Sequence, residues 1–459
     1  MVIQLVFFLL LSTIGVFIVD FQTIIYMWFI YIVGVVLSYI FNKGEDKTKA
    51  VRLYQTLFLV GAAYMFACYF YMTYHNYTHL LAVDPISYFL PRTESYMNED
   101  SYWNALGVIW SDYDFFSRYH TGYFTYSTFF GFLGQAFDAD FFVGQQISVL
   151  FLYPFVGILI YKLLQVNNLR GEKAYKYTVI ISLFSVIFFF SSQVLRDIHV
   201  LLLYLMGIYL TFKKEFSSIN LIKIIFIIYI TTLFRIESGL FLVVLIPTYL
   251  MLTLQTSKYK FMVICFCVCF FMGILVLSLT FFEKIQGTFD KNQEIYVEGV
   301  KESSGMIGTL QKVPLVGNVA SIIYNAAQPL PFWAKFIATP KDPRVELYNI
   351  MRFPQAIASL FNWLVLVYLF FLLVSKKIRR KTSGFISKPL QYQLWIGFVF
   401  LFLQSAVVDH RRIMAYYVIY YILFFIIFSR IENKDRKFIG AVAIGTFTFI
   451  QLIGLIYKV

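Results

Sequence analysis

The sequence predicts an all-α fold: one polytopic domain, residues 1–459, in which about thirteen transmembrane helices form a bundle. Three observations predict it. Hydrophobic residues fill 60% of the 459 positions and charged residues only 14%, with mean hydropathy +0.72, an excess that no soluble core needs. Apolar runs recur along the chain, most of them roughly 17 to 24 residues and so long enough for a bilayer core of ~30 Å. Short loops rich in Lys and Arg separate them. The net charge of +13 is therefore read as the positive-inside pattern, with no nucleic-acid partner expected. Many of the 53 Phe and 35 Tyr cluster near the ends of the runs, where interfacial aromatic belts form.

The first two runs, 2–19 and 21–41, make a tight hairpin ending in NKGEDKTKAVR, a loop assigned to the cytoplasm. VIQLVFFLLLSTIGVFIV lacks a basic leader and an A-x-A-like cleavage site, so it is expected to be a retained first span. The run 53–74 leads out to a long aromatic and acidic segment, 75–140, the first extracytoplasmic loop with its interfacial helices. Within it FTYSTFFGFLGQAF, 124–137, would reach only ~21 Å as a helix and is expected to be interfacial or re-entrant. The run 141–164 returns to NNLRGEKAYK, and 177–193 goes out to Arg196 and Asp197. The run 198–212 comes back to KKEFSS, and 221–234 goes out to Arg235 and Glu237. Next, 238–254 returns to QTSKYK and 261–282 exits to a second extracytoplasmic loop, 283–354. The run 355–375 ends at KKIRRK, 390–408 exits at DHRR, 413–429 ends at RIENKDRK, and 438–457 finishes outside. The N-terminus is then cytoplasmic and the C-terminus extracytoplasmic in a multi-pass plasma-membrane protein. No internal repeat is visible, which argues against the paired halves of many transporters. Cys68, Cys265, Cys267 and Cys269 lie in apolar runs at no metal-site or disulfide spacing and are read as packing residues.

The stretch FFFSSQVLRDIH, 188–199, sets an Arg-Asp pair between two membrane-grade runs. Such a pair either caps a hairpin at the water interface or belongs to a polar site. The topology favours the site. Arg196-Asp197, Arg235-Glu237 and Asp409-His410-Arg411-Arg412 all fall on the side of the two long loops. Arginines rimming an apolar cavity suit an anionic headgroup on a lipid tail, because the guanidinium fork matches phosphate oxygens. Arg196, Arg235, Arg411 and Arg412 are the candidates, with His410 as a further donor. Asp197 and Glu237 join them as acids that make those cations tolerable. The other reading of each arginine is a snorkelling interfacial anchor.

In the first loop, Asp84 of LLAVDPISYFLP has apolar flanks that would hold it at the membrane surface, where desolvation suits a general base. An ordinary Asp-Pro turn is the alternative. Asp112 and Asp114 of WSDYDFF are further acid candidates; two carboxylates are too few for a divalent-ion site, so no metal and no cofactor is expected. Tyr88, Tyr96, Tyr102, Trp103, Trp110 and Tyr113 suit stacking on sugar faces or interfacial anchoring. In the second loop, 313–336 reads as a short amphipathic lid. No GxSxG, HExxH or Walker pattern occurs, and Asn76-Tyr77-Thr78 forms a glycosylation sequon.

YHTGYFTYSTFFGFLGQAF followed by DADFFVGQQISVLF, behind an acidic loop, resembles the N-terminal half of GT-C membrane glycosyltransferases. SSQVLRD, LFRIESGLFL and DHRRIMAYY resemble the charged helix ends of bacterial O-antigen and capsule polymerases, including the EpsG-like group. The resemblance spans most of the chain through short motifs. It implies a GT-C-like glycosyltransferase of the bacterial inner membrane. Such an enzyme takes a polyprenyl-phosphate- or diphosphate-linked saccharide donor and a glycan acceptor on the extracytoplasmic face. It would place the family's first-loop acid at Asp84 and its phosphate-binding arginines at Arg196, Arg235 and Arg411 or Arg412. The double-acid signature of the oligosaccharyltransferase branch is missing unless Asp112 and Asp114 supply it. The expectation is a repeat-unit polymerase working beside other polysaccharide-assembly proteins. The alternatives are a GT-C enzyme adding one sugar from a polyprenyl monophosphate, and a flippase for lipid-linked oligosaccharide.

Overall fold

The computed structural model describes residues 2–75, 88–113, 120–254, 353–404 and 410–456 and the isolated positions 261 and 265, the side chains of 2–3, 402–413, 415 and 454–456 excepted. Among the described residues the regular structure is all helical. The order begins α1 (Val2–Ile18), α2 (Phe21–Ile40), α3 (Glu45–Tyr74), α4 (Leu90–Met97), α5 (Tyr102–Ser111) and α6 (Thr121–Ala136). It continues α7 (Phe141–Val166), α8 (Gly171–Phe184), α9 (Val186–Phe190), α10 (Asp197–Thr211), α11 (Ser218–Phe234), α12 (Ile236–Leu242) and α13 (Leu245–Thr253). The last elements are α14 (Phe353–Val374), α15 (Lys376–Thr382), α16 (Lys388–Gln404), α17 (His410–Arg430) and α18 (Asn433–Ile456). The expected span 261–282, the loop 283–354 and its segment 313–336 fall almost wholly outside the described residues.

Among the described residues, six stretches are long and apolar enough to cross a membrane: α2, α3, α7, Ile236–Thr253 across α12 and α13, α14, and Asn433–Ile453 of α18. The apolar helices Gln4–Ile18, Asp197–Thr211, Ser218–Phe234 and Tyr416–Arg430 are shorter. Large apolar side chains face outward, among them Phe17, Ile222, Phe226, Leu373, Trp395 and Phe449. A bilayer would cover such a surface without the cost that water imposes. Cys68 is buried, as a packing residue should be, whereas Cys265 is exposed.

α7 is the central post, packed by α2, α3, α6, α8, α10 and α17. Its close approach to α3 depends on missing side chains. A Cβ on Gly61 would sit 2.4 Å from Leu150, and one on Gly157 would sit 2.3 Å from Leu57. Small residues at such crossings let backbones come together where no water-driven force acts between helices.

Polar caps tie the helix ends into two layers. Asp20 caps α2 by accepting from Thr23 N at 2.6 Å, and Asp140 caps α7 by accepting from Val143 N at 2.8 Å. The Asp140 amide donates to Thr23 Oγ1 at 2.8 Å, joining these two turns. At the opposite end of α7, Tyr161 and Gln165 donate to Asp46 at 3.1 and 2.7 Å, and Ser387 donates to Asn167 at 2.8 Å. Lys377 pairs with Asp435 at 3.0 Å, and Lys381 pairs with Glu432. The basic loops after α2, α7, α14 and α17 therefore share one end of the bundle. The turns at 19–20 and 138–140 lie at the other, with the first long loop.

Two expected continuous helices are broken. The run 177–193 divides at Ser185, whose hydroxyl accepts from Ile187 N at 3.4 Å and starts a new turn. The run 238–254 divides into α12 and α13. α12 folds back against α11 through Arg235, which is extended at φ −158°, ψ 113°. A Cβ on Gly239 would lie 2.6 Å from Thr232 N and 2.8 Å from Thr232 Cα, backbone atoms that cannot swing away. Gly239→Ala is expected to cost about 1–3 kcal/mol by overpacking. A thermal melt of the detergent-purified protein checks this; an unchanged midpoint would mean that the α11–α12 contact is looser than described.

Candidate anion-binding site

Arg196 closes the short Ser191–Arg196 connection between α9 and α10. Its Nη1 donates to the carbonyl of Phe234, the last residue of α11, at 2.8 Å. Helix C-terminal carbonyls lack partners within the helix and favour a cation, so Arg196 caps α11 from outside it. Asp197, in the first turn of α10, accepts from Arg235 Nη2 at 2.9 Å. Its side chain is 1% exposed and that of Arg235 12%. Each member of the Arg-Asp pair thus reaches the same place, the junction of α11 and α12. The ends of α10 and α11 are cross-braced by an ion pair whose carboxylate is buried.

The first loop closes over this junction. His120, which precedes α6, brings Nδ1 to 3.0 Å from Arg196 Nη1. Its ring packs against Tyr88, Phe89, Tyr113 and Phe124, with the centroid 5.2 Å from that of Tyr88. The hydroxyls of Tyr88 and Tyr113 lie 3.3 Å apart. Arg92 of α4 donates to Tyr96 Oη at 3.1 Å, and Tyr96 donates on to Asp112 at 3.0 Å. Arg92 also reaches Asp112 at 3.4 Å and lies over the Tyr113 ring at 5.5 Å. That outer ion pair is half exposed and contributes little stability by itself.

Charge at this centre has a measurable signature. Burial first, then Arg196, Arg235 and Arg92, hold the His120 imidazole far below its ordinary value of 6.5, at about 3. The unfolded chain therefore binds a proton that the folded one refuses. Stability tied to neutral His120 is present above pH 6.5 and is lost as pH falls towards 3. Burial, followed by opposing hydrogen bonds to Tyr88 and Tyr96, pushes the Tyr113 phenol up to about 12. The hydrogen bond to Tyr96 raises Arg92 above its usual value.

Behind the cluster lies a polar floor. His199, one turn beyond Arg196, is buried with its ring stacked on Phe234 at 5.2 Å and edge-on to Tyr126 at 4.4 Å. Gln146 donates to the Ser192 carbonyl at 3.0 Å, and Tyr126 donates to the Ser148 carbonyl at 2.7 Å. At the far end of α6 a recess of about 240 Å³ opens between α4, α6 and α7, lined by Glu94, Asn98, Gln135, Asp138, Asp140 and Gln145 among others.

Of the residues singled out in the sequence, Arg196, Asp197 and Arg235 come together, and Asp112 joins their rim through Arg92. Glu237 does not serve as the acid beside Arg235: it is exposed on the first turn of α12, and Asp197, 38 residues upstream of Arg235, takes that place. The turn geometry explains this, because extended Arg235 aims its side chain at α10. Asp84 and Asp114 lie outside the described residues, as do the side chains of His410, Arg411 and Arg412, whose backbone opens α17. His120, Arg92 and His199 are additions. His199 follows Arg196 at i+3, and Arg92 precedes Tyr96 at i+4, spacings that share a helix face. For His120 no local signal exists, since its partners are all brought by other elements.

No family model, curated protein or solved structure matches this chain. Fold and geometry define its class: among the described residues it is all helical, with six membrane-length helices and a cluster of partly exposed arginines at one end, braced by the buried Asp197.

Proposed function

We propose that this chain is a membrane glycosyltransferase of bacterial surface-polysaccharide assembly, a repeat-unit polymerase with a GT-C-like bundle of about thirteen spans. The observation that carries the reading is the gathering of three arginines at the loop-rich end of the bundle: Arg196 against His120, Arg235 against Asp197, and Arg92 over the Tyr113 ring that packs on His120. A phosphate headgroup on an apolar tail is a ligand of matching chemistry, because guanidinium forks hold its oxygens while the tail stays in lipid. Tyr88, Tyr96 and Tyr113 add hydroxyls and ring faces suited to sugars. In the reaction, the acceptor hydroxyl oxygen bonds to the anomeric carbon as the bond from that carbon to the phosphate oxygen breaks. The polyprenyl (di)phosphate leaves with the electron pair, and arginines stabilise the charge that grows on it. Asp84, or another first-loop acid such as Asp112 or Asp114, takes the hydroxyl proton.

The lipid-linked glycans of a deletion strain test this. Accumulation of single repeat units without long chains is the expected result. A full-length polymer lacking one side sugar would favour the single-sugar transferase. Repeat units trapped on the cytoplasmic leaflet would favour a flippase, and an unchanged profile would remove all three readings.

A further inference from the structure

We propose that His120 is a positioning residue of this site, a neutral hydrogen-bond acceptor that orients the Arg196 guanidinium. The inference deepens the phosphate-site reading and rests on it for its functional consequence. A guanidinium carries N–H donors and no acceptor. At 3.0 Å between Arg196 Nη1 and His120 Nδ1, the arginine must donate, and Nδ1 must hold its lone pair. The one ring proton then resides on Nε2. The same Nη1 donates to the Phe234 carbonyl at 2.8 Å. Two acceptors from different elements, the residue before α6 and the end of α11, therefore fix one nitrogen and with it the guanidinium plane.

The described groups that face the imidazole favour this state. Tyr88 and Arg92 come from the α4 region, Tyr113 from the end of α5, Arg196 from the start of α10 and Arg235 from the α11–α12 junction. Protonation would turn an N–H towards Arg196 and add a cation among three guanidiniums. The depressed basicity of His120 agrees with that geometry. His120 is thus not the proton acceptor of the reaction, since its lone pair is already engaged by Arg196. Its role is to keep the anion site in one pose, independent of pH across the physiological range.

Nitrogen-15 histidine NMR of the full chain in nanodiscs tests the tautomer directly, with the signal assigned by its loss in His120→Asn. A neutral, Nε2-protonated ring from pH 8 down to about 5 is expected, whereas an ordinary histidine titrates near 6.5. Titration near that value, or a proton on Nδ1, would overturn the proposal. Farnesyl diphosphate is the binding probe for the second arm. His120→Leu should weaken its binding about tenfold, and His120→Asn, which restores an acceptor near Nδ1, should recover most of that loss. Equal affinity in wild type and both variants would overturn the positioning role even with the tautomer in place. No binding by wild type would overturn the phosphate-site reading, while the NMR result still decides the Arg196 contact. Should His120→Leu fail to fold, the wild-type tautomer and the Asn variant carry the test.

Discussion

Arg235→Leu is expected to destabilise the folded protein by about 3–5 kcal/mol, because it removes the cation held 2.9 Å from a carboxylate that is almost wholly buried. The loss comes more from the desolvated carboxylate left behind than from the attraction removed. Asp197→Asn should therefore cost less, since the amide is neutral and can still accept from Arg235. The double substitution Asp197→Leu with Arg235→Leu should recover much of the single-variant loss, as apolar replacements of buried ion pairs do. Thermal unfolding of the four detergent-purified proteins measures these terms. If Arg235→Leu melts with the wild type, the pair does not brace α10 against α11, and the site loses its frame.

On the polymerase reading proposed above, Arg196→Lys should reduce polymer formation about 10²- to 10³-fold while leaving the protein at normal levels in the membrane. Lysine keeps the positive charge, so a simple requirement for charge would spare activity. It cannot keep the plane. One Arg196 nitrogen reaches both His120 and Phe234, so the rigid fork is held in one plane, which an ammonium cannot reproduce. The readout is the chain-length profile of surface polysaccharide in a complemented deletion strain, with protein level measured in the same membranes. Normal chain length in that strain would break the assignment of Arg196 to the leaving group. Arg235→Lys should lower stability as well as activity, because Arg235 also pairs with Asp197.

The helical architecture was legible because its signals are local. The run 21–41 became Phe21–Ile40, and 141–164 became Phe141–Val166. Apolar length and flanking Lys and Arg need no knowledge of neighbours. The breaks at Ser185 and Val243–Val244 were not legible, since the surrounding residues remain as apolar as an unbroken helix. The candidate site was half legible. Arg196, Asp197 and Arg235 stand out wherever they lie, because charges inside apolar runs demand a reason. Their partners do not stand out.

The sequence by itself determined that this chain is a bundle of apolar helices with its basic loops gathered at one end, and that a few arginines interrupt the apolar runs. Desolvation is the reason: twenty apolar residues in a row, or a guanidinium among them, each carry an energetic consequence readable from a short window. Only the tertiary structure decided that Arg235 pairs with Asp197 and not with its near neighbour Glu237. It alone also decided that His120 accepts from Arg196, and that Arg92 and Asp112 close the rim. Those choices follow from which helix ends pack together. Such packing is a property of the whole bundle, and no window of sequence contains it.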